Sequence, residues 1–268
     1  MNRKNNKLKT KILQSLILGA SILTLTGCMG VNVETKTTQT NKAETSKEKN
    51  VKQATKDANV LLDFLYSGKR TAHLQDVIYQ NPDAVDTHMI NRLSKKQEES
   101  FAENGNKDDY YLVIDGSNYY ASDIIEDYAD AYLKQTKQIS YNVKEVDVSG
   151  DEATITISYY PIAGLEEANP IGTARSELFG GIDEDTFIRQ SQNKDIKTIK
   201  SLITLKLYAM YYGDLDYEAV KVSKPVELEF TMTKKGDYYT ANDDVVFQLV
   251  KDSRVQSYQD NKKSDKDI

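Results

Sequence analysis

"YNVKEVDVSGDEATITISYYP", Tyr141 to Pro161, decides the fold. Ala153, Ile155, Ile157 and Tyr159 alternate with Thr154, Thr156 and Ser158, the period of two that a half-buried β-strand requires. "SGDE" supplies the turn. Before it the apolar positions change phase, from Tyr141 and Val143 to Val146 and Val148, as an inserted residue would make them do. The stretch predicts an antiparallel hairpin with a bulge in its first strand, one face apolar and the other wet.

Downstream, "PVELEFTMTKKGDYYTANDDVVFQLV" from Pro225 repeats the pattern. Val226, Leu228, Phe230 and Met232 alternate with Glu227, Glu229, Thr231 and Thr233, and "KKGD" turns the chain into a second hairpin. Elsewhere the apolar spacing is three and four, which predicts helices. One carries Val51, Ala54, Ala58, Leu61, Leu62 and Leu65 and stops at Gly68. A second spans about 84–103 with Met89, Ile90, Leu93 and Phe101 on one side. A third opens at Ser122 as N-cap and runs through Ile125, Tyr128, Ala129 and Tyr132. A fourth sets Ile196, Ile199, Leu202, Ile203 and Met210 on one stripe and ends at Gly213. Helix plus hairpin thus occurs twice, "YNVKEVDV" and "YEAVKVSK" opening their strands about 76 residues apart. The expected fold is α+β, with several helices packed on one face of a curved antiparallel sheet built from hairpins.

That element order resembles the cystatin-like or nuclear-transport-factor-like α+β cone of many small lipoproteins of low-GC Gram-positive bacteria. The resemblance implies a cone and brings no functional residue with it.

The amino terminus says where the domain lives. "MNRKNNKLKTK" carries five cations and no acid, and the 14 apolar-rich residues of "ILQSLILGASILTL" follow. This is the charged region and short apolar region of a signal peptide, well below the ~20 residues a spanning helix needs. Leu25, the last residue of that apolar region, together with Thr26, Gly27 and Cys28 resembles the lipobox of bacterial lipoproteins, and Cys28 is the sole cysteine. The resemblance implies a diacylglyceryl thioether on Cys28, cleavage between Gly27 and Cys28, and anchoring to the outer face of the cell membrane. A thiolate is the side chain best suited to take up an alkyl group. Two acyl chains hold stably where one holds only marginally. With Cys28 consumed, no disulfide is left to staple the remaining chain.

The expected organisation is a signal peptide over 1–27, a disordered polar tether over 28–50, one α+β domain over 51–258 and a disordered tail over 259–268. Thr, Lys, Glu and Asn dominate the tether, which cannot bury enough to fold and reaches about 25 Å. Five of the 35 basic residues precede Cys28 and none of the 41 acids does, so the processed chain carries about −11. Such a chain is poorly suited to nucleic acid and is repelled by anionic head groups, so the lipid must do the anchoring.

Motifs for catalysis are sparse. No nucleophile elbow, zinc-protease helix, phosphate loop or dinucleotide fingerprint occurs. "SQNK", Ser191 to Lys194, fits the S-x-x-K pattern of Ser-Lys acyl-enzymes but lacks its companion segments, and a polar helix surface explains it equally. His73 and His88 are too few for a three-histidine zinc site and are expected at the surface or near a cap. "NGNKDDYYLVID" places Asn104, Asn106, Asp108 and Asp115 at calcium-loop spacing, yet Asp109 stands where glycine is needed and the segment closes as a strand. Tyrosine is abundant, 18 residues with no tryptophan, including five adjacent pairs. On a strand each pair offers one ring to the core and one outward, where it either lines a ligand groove or merely fills the strand.

The expectation is a lipid-anchored, extracytoplasmic binding module without catalysis, cofactor or metal. It touches the membrane through Cys28 and takes an envelope protein, peptide or glycan as partner. The rival is an enzyme acting on envelope polymers, with carboxylates that meet only in space. A transporter binding protein is disfavoured, because roughly 208 residues are few for two α/β lobes.

Overall fold

The computed structural model describes residues 45–101, 109–165, 171–191 and 195–255. In chain order the first elements are α1 (Ser46–Ser67), α2 (Leu74–Val77), α3 (Pro82–Phe101), β1 (Tyr111–Ile114), β2 (Ser117–Tyr120) and α4 (Ala121–Thr136). Then come β3 (Tyr141–Ser149), β4 (Glu152–Tyr159), α5 (Ile171–Phe179), α6 (Glu184–Gln190) and α7 (Ile196–Asp214). The last are α8 (Tyr217–Val220), β5 (Val226–Lys235), β6 (Tyr238–Thr240) and α9 (Asp243–Lys251). The expected α+β class holds.

Four strands form one antiparallel sheet in the order β3-β4-β5-β6. The Tyr141–Pro161 hairpin has the predicted form, and its register slips between Val143 and Glu145, where the phase change called for a bulge. Ala153, Ile155, Ile157 and Tyr159 of β4 and Phe230 and Met232 of β5 are buried. Glu227, Glu229, Thr231 and Thr233 face outward on the opposite side. The apolar face is covered by α1, which buries Ala54, Ala58, Leu61, Leu62 and Leu65 against β3, β4 and β6. Gly68 ends α1 in the left-handed region (φ +66°), donating to Phe64 O (3.0 Å) while Lys69 N–H returns to Asp63 O (3.1 Å). Behind this layer α4 packs along α7, with α3 against α4, and the same core continues through Ile124, Ile125, Ile199, Leu202 and Ile203.

Several boundaries differ from expectation. The helix assigned to begin after the tether starts at Ser46, because Thr45 and Glu48 form a capping box: Glu48 N–H donates to Thr45 Oγ1 (3.2 Å) and Thr45 N–H to Glu48 Oε2 (2.7 Å). Lys234 of β5 then donates to Asn50 (3.0 Å), so the last five positions of the expected tether are helical and held to the sheet. Residues 1–44 and 256–268, with the signal peptide, Gly27, Cys28 and the tail, lie outside the described residues. Helix α4 is not capped by Ser122. It follows β2 directly, and its first amide, Ala121 N–H, donates to the Tyr110 carbonyl (2.9 Å) instead. "YEAV" is helix α8 rather than a strand, with Lys221 joining only an isolated bridge to Ile162.

The second hairpin is also shorter than its sequence suggested. Strand β6 ends at Thr240, and Asn242 accepts from Val245 N–H (2.9 Å) to start α9. Asp243 and Asp244 occupy the favourable first turn, and Val246, Leu249 and Val250 are buried at helical spacing. Nine helices stand among the described residues, the four legible in the sequence and five more that are mostly a turn or two long.

Candidate functional site

The last carbonyls of an α-helix have no partner inside it. Those of α9 are taken by tyrosines from three different elements. Tyr66 of α1 donates to Leu249 O (3.2 Å), and Tyr159 of β4 donates to Asp252 O (2.6 Å). Tyr132 of α4 shares its proton between Val250 O (2.7 Å) and Lys251 O (3.1 Å). Beyond this seat the backbone is pinned on both sides of Arg254: Ile162 N–H donates to Ser253 O (2.7 Å), and Val255 N–H donates to Ile162 O (3.0 Å). Arg254 therefore leaves a fixed main chain.

Its guanidinium points between α4 and α7. Nη1 donates to the Tyr128 hydroxyl (3.3 Å), and Cζ lies 5.0 Å from the centroid of the Tyr208 ring. The rings behind it form a continuous cluster, Tyr128 stacked on Tyr132 at 6.1 Å, with tilted contacts from Tyr132 to Tyr212 at 6.0 Å and from Tyr208 to Tyr212 at 5.3 Å. Burial pushes the Tyr128 phenol above its ordinary value, and those of Tyr132 and Tyr212 well above it. All three are neutral at pH 7. Burial works against the charge of Arg254, and coulombic interaction with the surrounding tyrosines raises its pKa; a guanidinium keeps its proton at pH 7 in any case. Neutral phenols offer dipoles and ring faces, a contribution of about 0.5–2 kcal/mol per cation–π contact, and do not cancel the charge. Among the described residues no carboxylate pairs with Arg254.

An open groove of roughly 800 Å³ lies in front of this cation. Its long wall is the first half of α7, which presents Lys197, Lys200, Ser201 and Thr204, while Tyr128, Tyr208 and Arg254 close the inner end. Ile196, expected on the buried stripe of α7, is instead 60% exposed and sits on the groove's rim. Asp195 also lines the groove, but its oxygens are turned to the helix start. Thr198 Oγ1 donates to it, as do Thr198 N–H (3.0 Å) and Lys197 N–H (3.2 Å). The Thr198 hydroxyl, above all, holds that carboxyl below the usual range. Ser201 and Thr204 donate their protons back to Lys197 O (3.1 Å) and Lys200 O (2.8 Å), leaving hydroxyl lone pairs as acceptors.

A second groove, roughly 810 Å³, runs between α3, α4 and α7 and has a different character. Asp86 pairs with Lys137, Asp127 pairs with Lys206 (2.9 Å), and Lys134 donates to Gly213 O (2.8 Å). Two of its four carboxylates are thus met by lysines, while Asp130 and Asp214 line it at exposed positions.

Of the candidate site residues singled out in the sequence, those among the described residues line neither groove. His73 is at the start of α2, 3.5 Å from Asp76 through Nδ1, with its ring 6.0 Å from that of Tyr238. His88 is half-buried on α3. Among the described residues no three His, Cys, Asp or Glu side chains gather as a metal site. Asn104, Asn106 and Asp108 lie outside the described residues. Asp115 (φ +50°) and Gly116 (φ +75°) form the two-residue turn of the β1–β2 hairpin, a conformation that serves the turn rather than a calcium loop. Ser191 is 1% exposed. Its Oγ donates to Phe187 O (3.1 Å) and accepts from Val113 N–H (3.2 Å), so it ties α6 to β1, while Lys194 is outside the described residues.

The tyrosine pairs behave as strand geometry dictates where they lie on the main sheet: Tyr159 is 3% exposed and Tyr160 37%. Tyr211 and Tyr212, on α7, are both buried, and Tyr119 and Tyr120, on the small hairpin, are both exposed. The rings that face the groove, Tyr128 and Tyr208, belong to no pair. What marks them is position, on facing stretches of α4 and α7, a relation no linear motif carries.

No family model matches the sequence, and no curated protein does. Among solved structures, YcdA from Bacillus subtilis, described as a candidate lipoprotein, is similar at 16% identity with a TM-score of 0.47. The match covers 78% of this chain and 58% of that one, so this chain spans less than two thirds of the length of YcdA. Among the described residues no helix is long and apolar enough to cross a membrane.

Proposed function

We propose that this chain is a lipid-anchored binding module of the outer membrane face, held through Cys28, whose ligand enters the groove in front of Arg254. The observation that carries the reading is a concavity of roughly 800 Å³, walled by Tyr128 and Tyr208, with a charged guanidinium on a pinned backbone and, among the described residues, no carboxylate paired with it. Rigid aromatic walls with a few convergent polar groups are what small-ligand sites are made of. The anchor rests on Leu25 to Cys28 and on the basic and apolar segments before them. The likeness to cystatin-like cones is kept for α1 and the four-stranded sheet alone.

Binding, rather than turnover, is the activity. Glycan hydrolysis asks for two free carboxyl groups across a cleft. Of the four carboxylates lining the second groove, Asp86 and Asp127 each face a lysine, and Asp130 and Asp214 stand at exposed positions. Crosslinking in intact cells followed by mass spectrometry tests the reading. The expected result is repeated recovery of one envelope component joined to residues of α7 or of the 253–255 segment. Turnover of purified wall material by the full chain, with no partner recovered, would overturn it in favour of an envelope enzyme.

A further inference from the structure

We infer that the groove takes an anionic polyol, a small ligand or polymer unit bearing a phosphate or carboxylate beside free hydroxyls; this rests on the binding reading above. Arg254 supplies the first half of the argument. A guanidinium carries five N–H donors in a planar fork matched to carboxylate and phosphate oxygens. Among the described residues only one side-chain acceptor meets it, the Tyr128 hydroxyl. Tyr208 covers one face of the plane and leaves the edges available. Partial burial without a counter-anion is costly for a cation, and an incoming anion removes that cost.

Lys197 and Lys200 add charge to the same groove, and Lys200 has no acid partner among the described residues. The one carboxylate on the wall, Asp195, already accepts from the first turn of α7 and from Thr198. The chain as a whole has 41 acids against 35 bases. Against that net negative charge, a locally positive groove favours where an anion is admitted.

The second half concerns hydroxyls. Ser201 and Thr204 spend their own protons on α7 carbonyls, so they accept hydrogen bonds from a ligand and do not donate them. Groups that donate to such oxygens without a charge of their own are hydroxyls or amides. The exposed side chain of Ile196 at the rim suits the carbon face of a polyol or sugar ring. Anion at Arg254 and hydroxyls along α7 together describe a glycerol or sugar phosphate, or an acidic sugar.

The test uses the full chain in detergent with sn-glycerol 1-phosphate, inorganic phosphate, glycerol and glucuronate as probes, followed by ³¹P and ¹H NMR titration. Glycerol phosphate or glucuronate should bind more tightly than either inorganic phosphate or glycerol. Arg254→Gln should weaken that binding about tenfold, the equivalent of one charge-assisted bidentate contact, and added salt should weaken it further. Lys200→Gln, at an exposed position that leaves the fold untouched, should weaken it about threefold. Lys224→Gln, an equal loss of charge outside the groove, should leave it unchanged. Flotation of the Cys28→Ala chain with phosphatidylglycerol or with phosphatidylcholine vesicles separates the sources. Selective flotation with the former identifies a lipid head group, and binding of the free probes alone identifies a soluble or polymeric anion; either supports the class. Failure of all anionic probes, or equal weakening by Lys200→Gln and Lys224→Gln, overturns it. A crosslinked partner in the groove whose recovery ignores Arg254→Gln would sink the anion assignment while leaving the binding module intact.

Discussion

Asp57 of α1 is a carboxylate only 1% exposed, with Oδ2 accepting from Tyr239 N–H (2.8 Å) and Oδ1 from Gln53 Nε2 (2.8 Å). Burial pushes its pKa above the usual carboxylate range, and those two hydrogen bonds only partly oppose the shift. The folded state therefore holds this proton more tightly than the unfolded chain does. The contribution to stability is complete below the ordinary carboxylate value and is lost as pH rises through the raised one. Asn at this position keeps an acceptor for Tyr239 N–H and has no charge to bury. The stability advantage of the natural chain over Asp57→Asn should accordingly shrink between about pH 4 and pH 7, read by urea denaturation at both values. A difference independent of pH would mean that Asp57 titrates alike in both states. At this scale the sequence was least legible. Asp57 sits on the helix that the Val51-to-Leu65 spacing predicted, yet its partner is a backbone amide about 182 positions away, and nothing local announces it. The same holds for Arg254, whose meaning comes from Tyr128 and Tyr208, brought to it by packing.

Among elements, α4 and α7 carry the site, and their union is polar at one end. Gln135, fully buried on α4, donates from Nε2 to Tyr212 O (2.6 Å) and Leu215 O (2.6 Å) at the end of α7. Lys134 adds a bond to Gly213 O (2.8 Å). Carbonyls that an α-helix cannot satisfy itself are thereby closed by its neighbour. Gln135→Ala should cost about 2–3 kcal/mol in a denaturation experiment, because the buried carbonyls lose their donors. Gln135→Glu should do no better, since a carboxylate brings acceptors to acceptors. Elements built on a repeating pattern were legible: the bulged hairpin, the first helix and the outward Glu and Thr of β5 follow from alternation and spacing. Elements that depend on their ends were not. Thr45 to Glu48 is a capping box readable in four letters, but the polar composition around it suggested a tether. Asn242 followed by two aspartates starts α9 where the sequence also fits a strand, because Val245, Val246, Leu249 and Val250 satisfy a β-like run and a helical spacing alike.

For the whole molecule, charge and anchor bear on one prediction. Cleavage before Cys28 would leave a chain of about −11, which gains nothing overall from anionic head groups. Under the proposed reading, retention at the membrane falls to the lipid on Cys28. Two acyl chains bind through buried methylenes, a term that salt does not weaken, whereas a contact made by charges loses strength as the Debye length falls from about 8 Å to about 3 Å. Membranes washed at about 1 M salt should keep the natural chain, and Cys28→Ala should appear in the soluble fraction at any salt. Retention of Cys28→Ala at low salt and its release at high salt would replace the lipid anchor with an electrostatic one. That outcome would also bear on the groove. Arg254, Lys197 and Lys200 gather three cations in one groove of this acidic chain, so retention of that kind should weaken with Arg254→Gln.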